Sequence, residues 1–171
     1  GMPEIVSAYV ANGAPGIDAL ESARNKQRDI NIAYLADMAK YATPTETPRI
    51  MAVWNSIPQQ LAKENHKFQY KLIKSGGRAA VYENAIAWLD AAGINMRCTQ
   101  VTEATAPLKT FENRSSFKVY TADVGLLASQ YEATPQDLGP ATDKAAGFRG
   151  GITENYVLQQ LVASDSSVYY W

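Results

Sequence analysis

Between Arg78 and Val101, in RAAVYENAIAWLDAAGINMRCTQV, the spacing of the apolar residues changes once, and that change restricts what the chain can fold into. Ala80, Tyr82, Ala85, Ile86, Leu89 and Ala92 recur at helical spacing, with Val81 and Trp88 widening the stripe and Glu83, Asn84 and Asp90 outside it. Such a stripe belongs to an amphipathic helix. Gly93 can adopt the left-handed conformation that closes a helix, and beyond it Ile94, Met96 and Cys98 alternate with Asn95, Arg97 and Thr99, which is strand period. A second strand-like run, Phe117 to Tyr120, lies downstream, and further helices lie upstream. The expectation is a mainly α chain with a small β-hairpin, arranged as a winged helix-turn-helix unit flanked by helices.

Upstream, Pro3 and Glu4 suit a first helical turn, and Ile5, Val6, Tyr9 and Val10 share a face, so a short helix is predicted over 2–10. Residues 17–41 contain neither Gly nor Pro and read as one long helix or two in series, with Ala23, Ile30, Ala33, Tyr34, Leu35, Met38 and Tyr41 on the apolar side. The breaker-rich TPTETP of 43–48 separates this part from the next helix. There Ile50, Val53, Trp54 and Ile57 form a two-turn apolar face. Pro58 is expected to end that helix at a sharp corner and to open a second one over 58–64, because proline cannot donate to the preceding turn. Residues 102–116 would be a long wing loop.

Downstream, Asp123 is placed to cap a short helix carrying Val124, Leu126, Leu127 and Tyr131. Residues 134–151 read as a surface loop, and 152–163 as a helix with Ile152, Tyr156, Val157, Leu161 and Val162 facing inward. The chain ends in the strand-like SSVYYW. A strand needs a neighbour, so the sequence reads as a fragment whose C-terminal sheet lies outside it. The tail is expected to pack back beside the 152–163 helix or to pair with a second copy. The resulting division is 1–46 as an N-terminal helical segment, 47–122 as the winged-helix unit and 123–171 as a C-terminal helical segment.

Charge and composition narrow the function classes. A chain of 171 residues with a formal net charge of −1 has no global field to recruit nucleic acid or an anionic membrane, so such binding would need a local patch. Cys98 and His66 are the single residues of their kinds, which removes an intrachain disulfide and nearly excludes a structural zinc site. No apolar run is long enough to span a bilayer, and the expected location is cytoplasmic.

The segments GMPEIV, AYLADMAKYA, VWNSIPQQLAKENHKFQY, GGRAAVYENAIAWLDAAGI, FKVYTADVGLL and GGITENYVLQQL, in this order, resemble the C-terminal region of a large prokaryotic family of AAA-type ATP-binding proteins, catalogued as domain of unknown function 4143. The resemblance implies a P-loop ATPase domain upstream and a sheet similar to the PD-(D/E)XK nuclease fold downstream. It makes this chain the start of a truncated nuclease-like portion from residue 123 onward. ATP and magnesium would belong to the upstream domain, since no G-x-x-x-x-G-K-[ST] sequence occurs here and no cofactor is expected in this chain. Partners implied are that ATPase domain or another protein, with nucleic acid also admissible, no membrane, and a homodimer through the C-terminal strand as a further option.

The most basic stretch contains Lys63, Lys67, Lys71, Lys74 and Arg78, interleaved with His66, Phe68 and Tyr70 and opposed by Glu64. These five cations are the candidate nucleic-acid-binding residues, weighed against an ordinary solvated lysine face. Glu83, Asn84 and Asp90 on the next helix, with Arg78 alone against them, count against nucleic-acid binding, because acidic side chains meet phosphates poorly. Glu154 as a remnant catalytic acid stands against a first-turn carboxylate that stabilises its helix. His66 has no visible partner set. Trp54, Trp88 and Tyr82 read as core, Trp171 as an orphaned core residue and Cys98 as a packed thiol. The leading reading is a non-enzymatic recognition and assembly module with no catalytic or metal residues; the alternative is part of a metal-dependent nuclease using Glu154.

Overall fold

The computed structural model describes residues 2–63, 67–134, 137 and 146–171. The chain is mainly helical with a small three-stranded sheet: α1 (Pro3–Val10), α2 (Ile17–Tyr41), α3 (Thr47–Leu61), α4 (Ala79–Ala91), β1 (Asn95–Val101), β2 (Glu112–Thr121), α5 (Val124–Gln130), α6 (Ala146–Ala163) and β3 (Tyr169–Tyr170). Short 3-10 turns occupy Tyr70–Leu72 and Leu108–Phe111.

The helix and strand of 78–101 form as their spacing predicts. Tyr82, Ala85, Ile86 and Leu89 are buried on α4, while Ala80, Val81 and Ala92 at the edges of the stripe are exposed. Gly93 adopts φ +69° and ends the helix. β1 and β2 pair antiparallel from Asn95 opposite Thr121 to Val101 opposite Glu112, with a register shift after Thr99. β2 therefore begins five residues before Phe117, the expected strand start, because Glu112 and Asn113 still find partners on β1 beyond the shift.

α2 is one helix of 25 residues, the first of the two forms expected for it. Four expectations are corrected. Pro58 makes no corner: α3 runs through it to Leu61, and the Pro58 carbonyl still accepts from Ala62 N–H at 3.0 Å. The physical reason is the stripe Ile50, Val53, Trp54, Ile57 and Leu61, which is at most 1% exposed and continues without a phase break. Burying Gln60 and Leu61 offsets the one helical bond that proline removes. α6 starts at Ala146 rather than Ile152, and it presents a different face from the one predicted. Gly151, Asn155 and Leu158 are buried on it, while Tyr156, Val157, Leu161 and Val162 are outward. Finally, the C-terminal strand finds its neighbour within the chain, since Tyr169 and Tyr170 pair in parallel with Thr99 and Gln100 to give the order β2-β1-β3. Trp171 is not a core residue; it is 81% exposed and its indole N–H reaches Thr102 O at 3.3 Å.

One core joins these elements. Met38 of α2, the α3 stripe, Ile86 and Leu89 of α4, Phe117, Val119 and Tyr120 of β2, Leu127 of α5 and Leu158 of α6 form a continuous buried cluster. Trp54 and Tyr82 lie in it as predicted, with Trp88 half-buried against it. Asp123 caps α5 with its Oδ1 accepting from Gly125 and Leu126 N–H at 2.8 and 3.2 Å. Among the described residues no helix is long and apolar enough to cross a membrane.

Candidate functional site

The connection between α3 and α4 carries the basic stretch, and its shape is set by three anchors. Phe68 is buried, stacks on Phe117 at a centroid distance of 5.6 Å, and donates its backbone N–H to Phe117 O at 2.8 Å. This bond occupies the open edge of β2, a site that would otherwise offer unpaired backbone to another strand. Gln60, 1% exposed at the end of α3, holds the next residue from both sides: its Nε2 donates to Gln69 O at 3.0 Å and its Oε1 accepts from Gln69 N at 2.9 Å. The return toward α4 then passes through Gly76 and Gly77. Gly76 has φ +74°, and a Cβ on Gly77 would meet Tyr70 O at 2.3 Å, so a side chain at either position is resisted for a different reason.

With the backbone pinned inward at Phe68 and Gln69, Lys63, Lys67, Lys71, Lys74 and Arg78 are all exposed on the same connection. Arg78 stands at the N-cap of α4, where no side chain caps the first turn, so cationic charge and free helix N–H groups lie at one place. His66 and Glu64 lie outside the described residues. The outward positions of α4 offer Ala79, Ala80, Val81, Glu83, Asn84 and Ala87, a set with short side chains and one carboxylate. Asp90 is withdrawn from the surface question because it binds Arg97, with contacts of 2.7 and 2.9 Å, although burial raises its carboxyl above its ordinary value. Gln60 was not legible as a positioning residue: a glutamine in a helix gives no signal that both ends of its amide will bracket a backbone nine residues away.

A second polar group lies where β2, α6 and β3 meet. Lys118 Nζ contacts Glu154 Oε1 at 2.7 Å and lies 4.8 Å from the Tyr170 ring centroid. Tyr170 O–H and Ser116 Oγ are 3.0 Å apart. Burial first, and the Glu154 carboxylate next, push the Tyr120 phenol far above its ordinary value. Cys98 is buried, and burial raises its thiol to about 11. A thiol so placed is a poor nucleophile at neutral pH because the thiolate is the reactive form. Glu154 is thus engaged with a lysine and not at the first turn of its helix, and among the described residues no group of three His, Cys, Asp or Glu side chains is arranged to hold a metal ion. Its neighbour Asn155 is fully buried, with Oδ1 accepting from Thr121 N at 2.9 Å and Nδ2 donating to Thr121 O at 3.0 Å.

The family whose sequence pattern matches this chain is Domain of unknown function (DUF8612), over residues 1–137. The resemblance to the AAA-type ATP-binding family is thereby overturned, and the upstream ATPase domain and nuclease-like continuation that it implied lose their basis. The quoted segments are helical stripes and turns, patterns that encode which face is buried and recur wherever helices pack on a small sheet. No curated protein and no solved structure matches the chain. The chain belongs to the DUF8612 family.

Proposed function

Starting from membership of a family without an assigned activity, we propose that this chain is a non-enzymatic recognition module whose α3, α4, β1 and β2 form a winged-helix-like unit, and that Lys63, Lys67, Lys71, Lys74 and Arg78 contact the phosphate backbone of nucleic acid. The observation that carries the reading is that all five cations are exposed on one connection, which Phe68 and Gln60 fix against the core. Phosphate contacts position a protein without reading bases, and the short, partly acidic outer face of α4 fits that division. Binding would therefore be weakly dependent on sequence. If all five cations engage, the logarithm of the affinity falls against the logarithm of salt with a slope of about −4 to −5, and replacing Lys67 and Lys71 by Glu flattens that slope by about 2. Anisotropy of a labelled duplex across a salt series measures both quantities. Binding that the double charge reversal leaves intact would sink the proposal.

A protein partner is favoured by one separate observation, the outward apolar side chains of α6. Tyr156, Val157, Leu161 and Val162 are 52, 49, 42 and 44% exposed. Association through them would be nearly indifferent to salt and to Lys67 and Lys71, so the same series separates the two partners. The non-enzymatic element of the reading has its own check: plasmid incubated with the chain and magnesium or manganese stays uncut, and cutting that Glu154→Gln abolishes would make it a nuclease.

A further inference from the structure

A groove of about 680 Å3 runs between the first turns of α2 and the α5 to α6 side of the molecule, far in sequence from the basic connection. Its walls are largely apolar: Ile17 and Leu20 of α2, 57 and 41% exposed, face it together with Ala128, Ala133 and Ile152. Two arginines one helical turn apart, Arg24 and Arg28, stand on the same wall. Arg24 is half-buried; it donates from Nη1 to Gln27 Oε1 at 2.9 Å and from Nη2 to Ala133 O at 2.6 Å. Arg28 donates from Nη1 to Asn25 Oδ1 at 3.4 Å. Neither guanidinium has a carboxylate in ion-pair contact among the described residues. Burial, and then the neighbouring Arg28 charge, lower the pKa of Arg24. The two guanidinium groups stand one turn apart beside apolar surface, and a ligand anion between them would offset their mutual repulsion and cover Ile17 and Leu20.

We propose that this groove binds a small amphipathic monoanion, a carboxylate on an apolar chain or ring, with the charged end at Arg24 and Arg28 and the apolar body along Leu20, Ala128 and Ile152. The volume lies in the range of small-ligand sites. A guanidinium already held by Gln27 and Ala133 keeps donors to spare, since arginine has five and the planar fork suits a carboxylate. Glu21 and Glu132 also line the groove, and both are exposed at its rim. Their charges disfavour polyanions such as nucleotides and leave the single carboxylate as the better match.

Decanoate, titrated calorimetrically into the whole chain, is expected to bind saturably at one site, with decanol at least about tenfold weaker. Arg28→Glu, at an exposed position, should weaken decanoate by about tenfold or more while leaving the melting temperature near that of the wild type. Arg24→Gln should do the same; it also removes the bond to Ala133 O, so Arg28→Glu keeps the test readable if Arg24→Gln folds poorly. The Lys67→Glu, Lys71→Glu double variant should bind decanoate normally, which separates this site from the phosphate-binding surface. Absence of saturable decanoate binding, equal affinity for decanol, or indifference to Arg28→Glu would each overturn the proposal.

Discussion

α4 with β1, and α6 with β3, are two helix-to-strand units that share a sheet, yet α4 buries a run of apolar side chains whereas α6 buries Gly151 and Asn155 beside Leu158. α4 turns Tyr82, Ala85, Ile86 and Leu89 inward because it packs on side chains, those of α3 and the hairpin. α6 faces something different. Gly147 and Gly151 lie against the backbone at the end of α3, where an added Cβ would meet Ala62 O at 2.3 Å and Leu61 O at 2.6 Å. Asn155 and Gln159 then satisfy backbone groups, Asn155 at Thr121 and Gln159 by accepting from Val124 N–H at 2.9 Å. Where a helix packs on another element's main chain, the inward residues must be small or able to hydrogen-bond, since a buried backbone group left unpaired costs more than an apolar contact returns. Hydropathy and burial then part company.

The comparison is open to direct attack. Ile86→Ala on α4, at a fully buried site, should cost about 2–5 kcal/mol in chemical denaturation, as large-to-small core changes do. Asn155→Leu on α6 makes the helix more apolar and should nevertheless cost about 1–3 kcal/mol, because Thr121 N–H and C=O both lose their partner. A stabilised Asn155→Leu variant would mean that hydropathy governs α6 after all. Cys98 tests the seam between the units, since its thiol lies 3.7 Å from Val168 O just before β3. Its folded pKa is raised by burial from 9.0 to about 11, so the folded state keeps its proton where the unfolded chain has lost it. Stability on this account is full below pH 9 and falls as pH rises toward about 11, by at most about 1.4 kcal/mol per pH unit. Denaturation of the wild type and Cys98→Ala across that window should show curves that converge with rising pH, and parallel curves would remove the thiol from the account. The smallest effect belongs to Val157→Gln, which should stay within about 0.5 kcal/mol because that side chain is outward.

The same contrast explains what was legible in the sequence. Side-chain packing announces itself by period, which is why α3, α4 and the start of β1 follow from Ile50, Val53, Trp54, Ile86 and Leu89. The Asp123 cap is legible because its cause is local, an acceptor beside the free N–H groups of its own helix. Pro58 misled because its penalty is local while the compensating burial of Leu61 is tertiary. The inward face of α6 was hidden because Asn155 answers a strand more than thirty residues away. In the candidate site the cations themselves were visible as a run, whereas the Gln60 bracket and the Arg24 and Arg28 wall depend on which elements meet.

The parallel pairing of β3 with β1 also orders events in time. The hairpin closes over a short loop between Val101 and Glu112, but Gln100 meets Tyr170 only after α5 and α6 have been threaded between them. The longer closure carries an extra entropic cost of roughly 1.6 kcal/mol, which favours forming the hairpin before the third strand. During that interval β1 has one paired side and one bare side at Thr99 and Gln100, open to the matching segment of any other chain nearby. Concentration thus acts on the unfinished molecule more strongly than on the finished one.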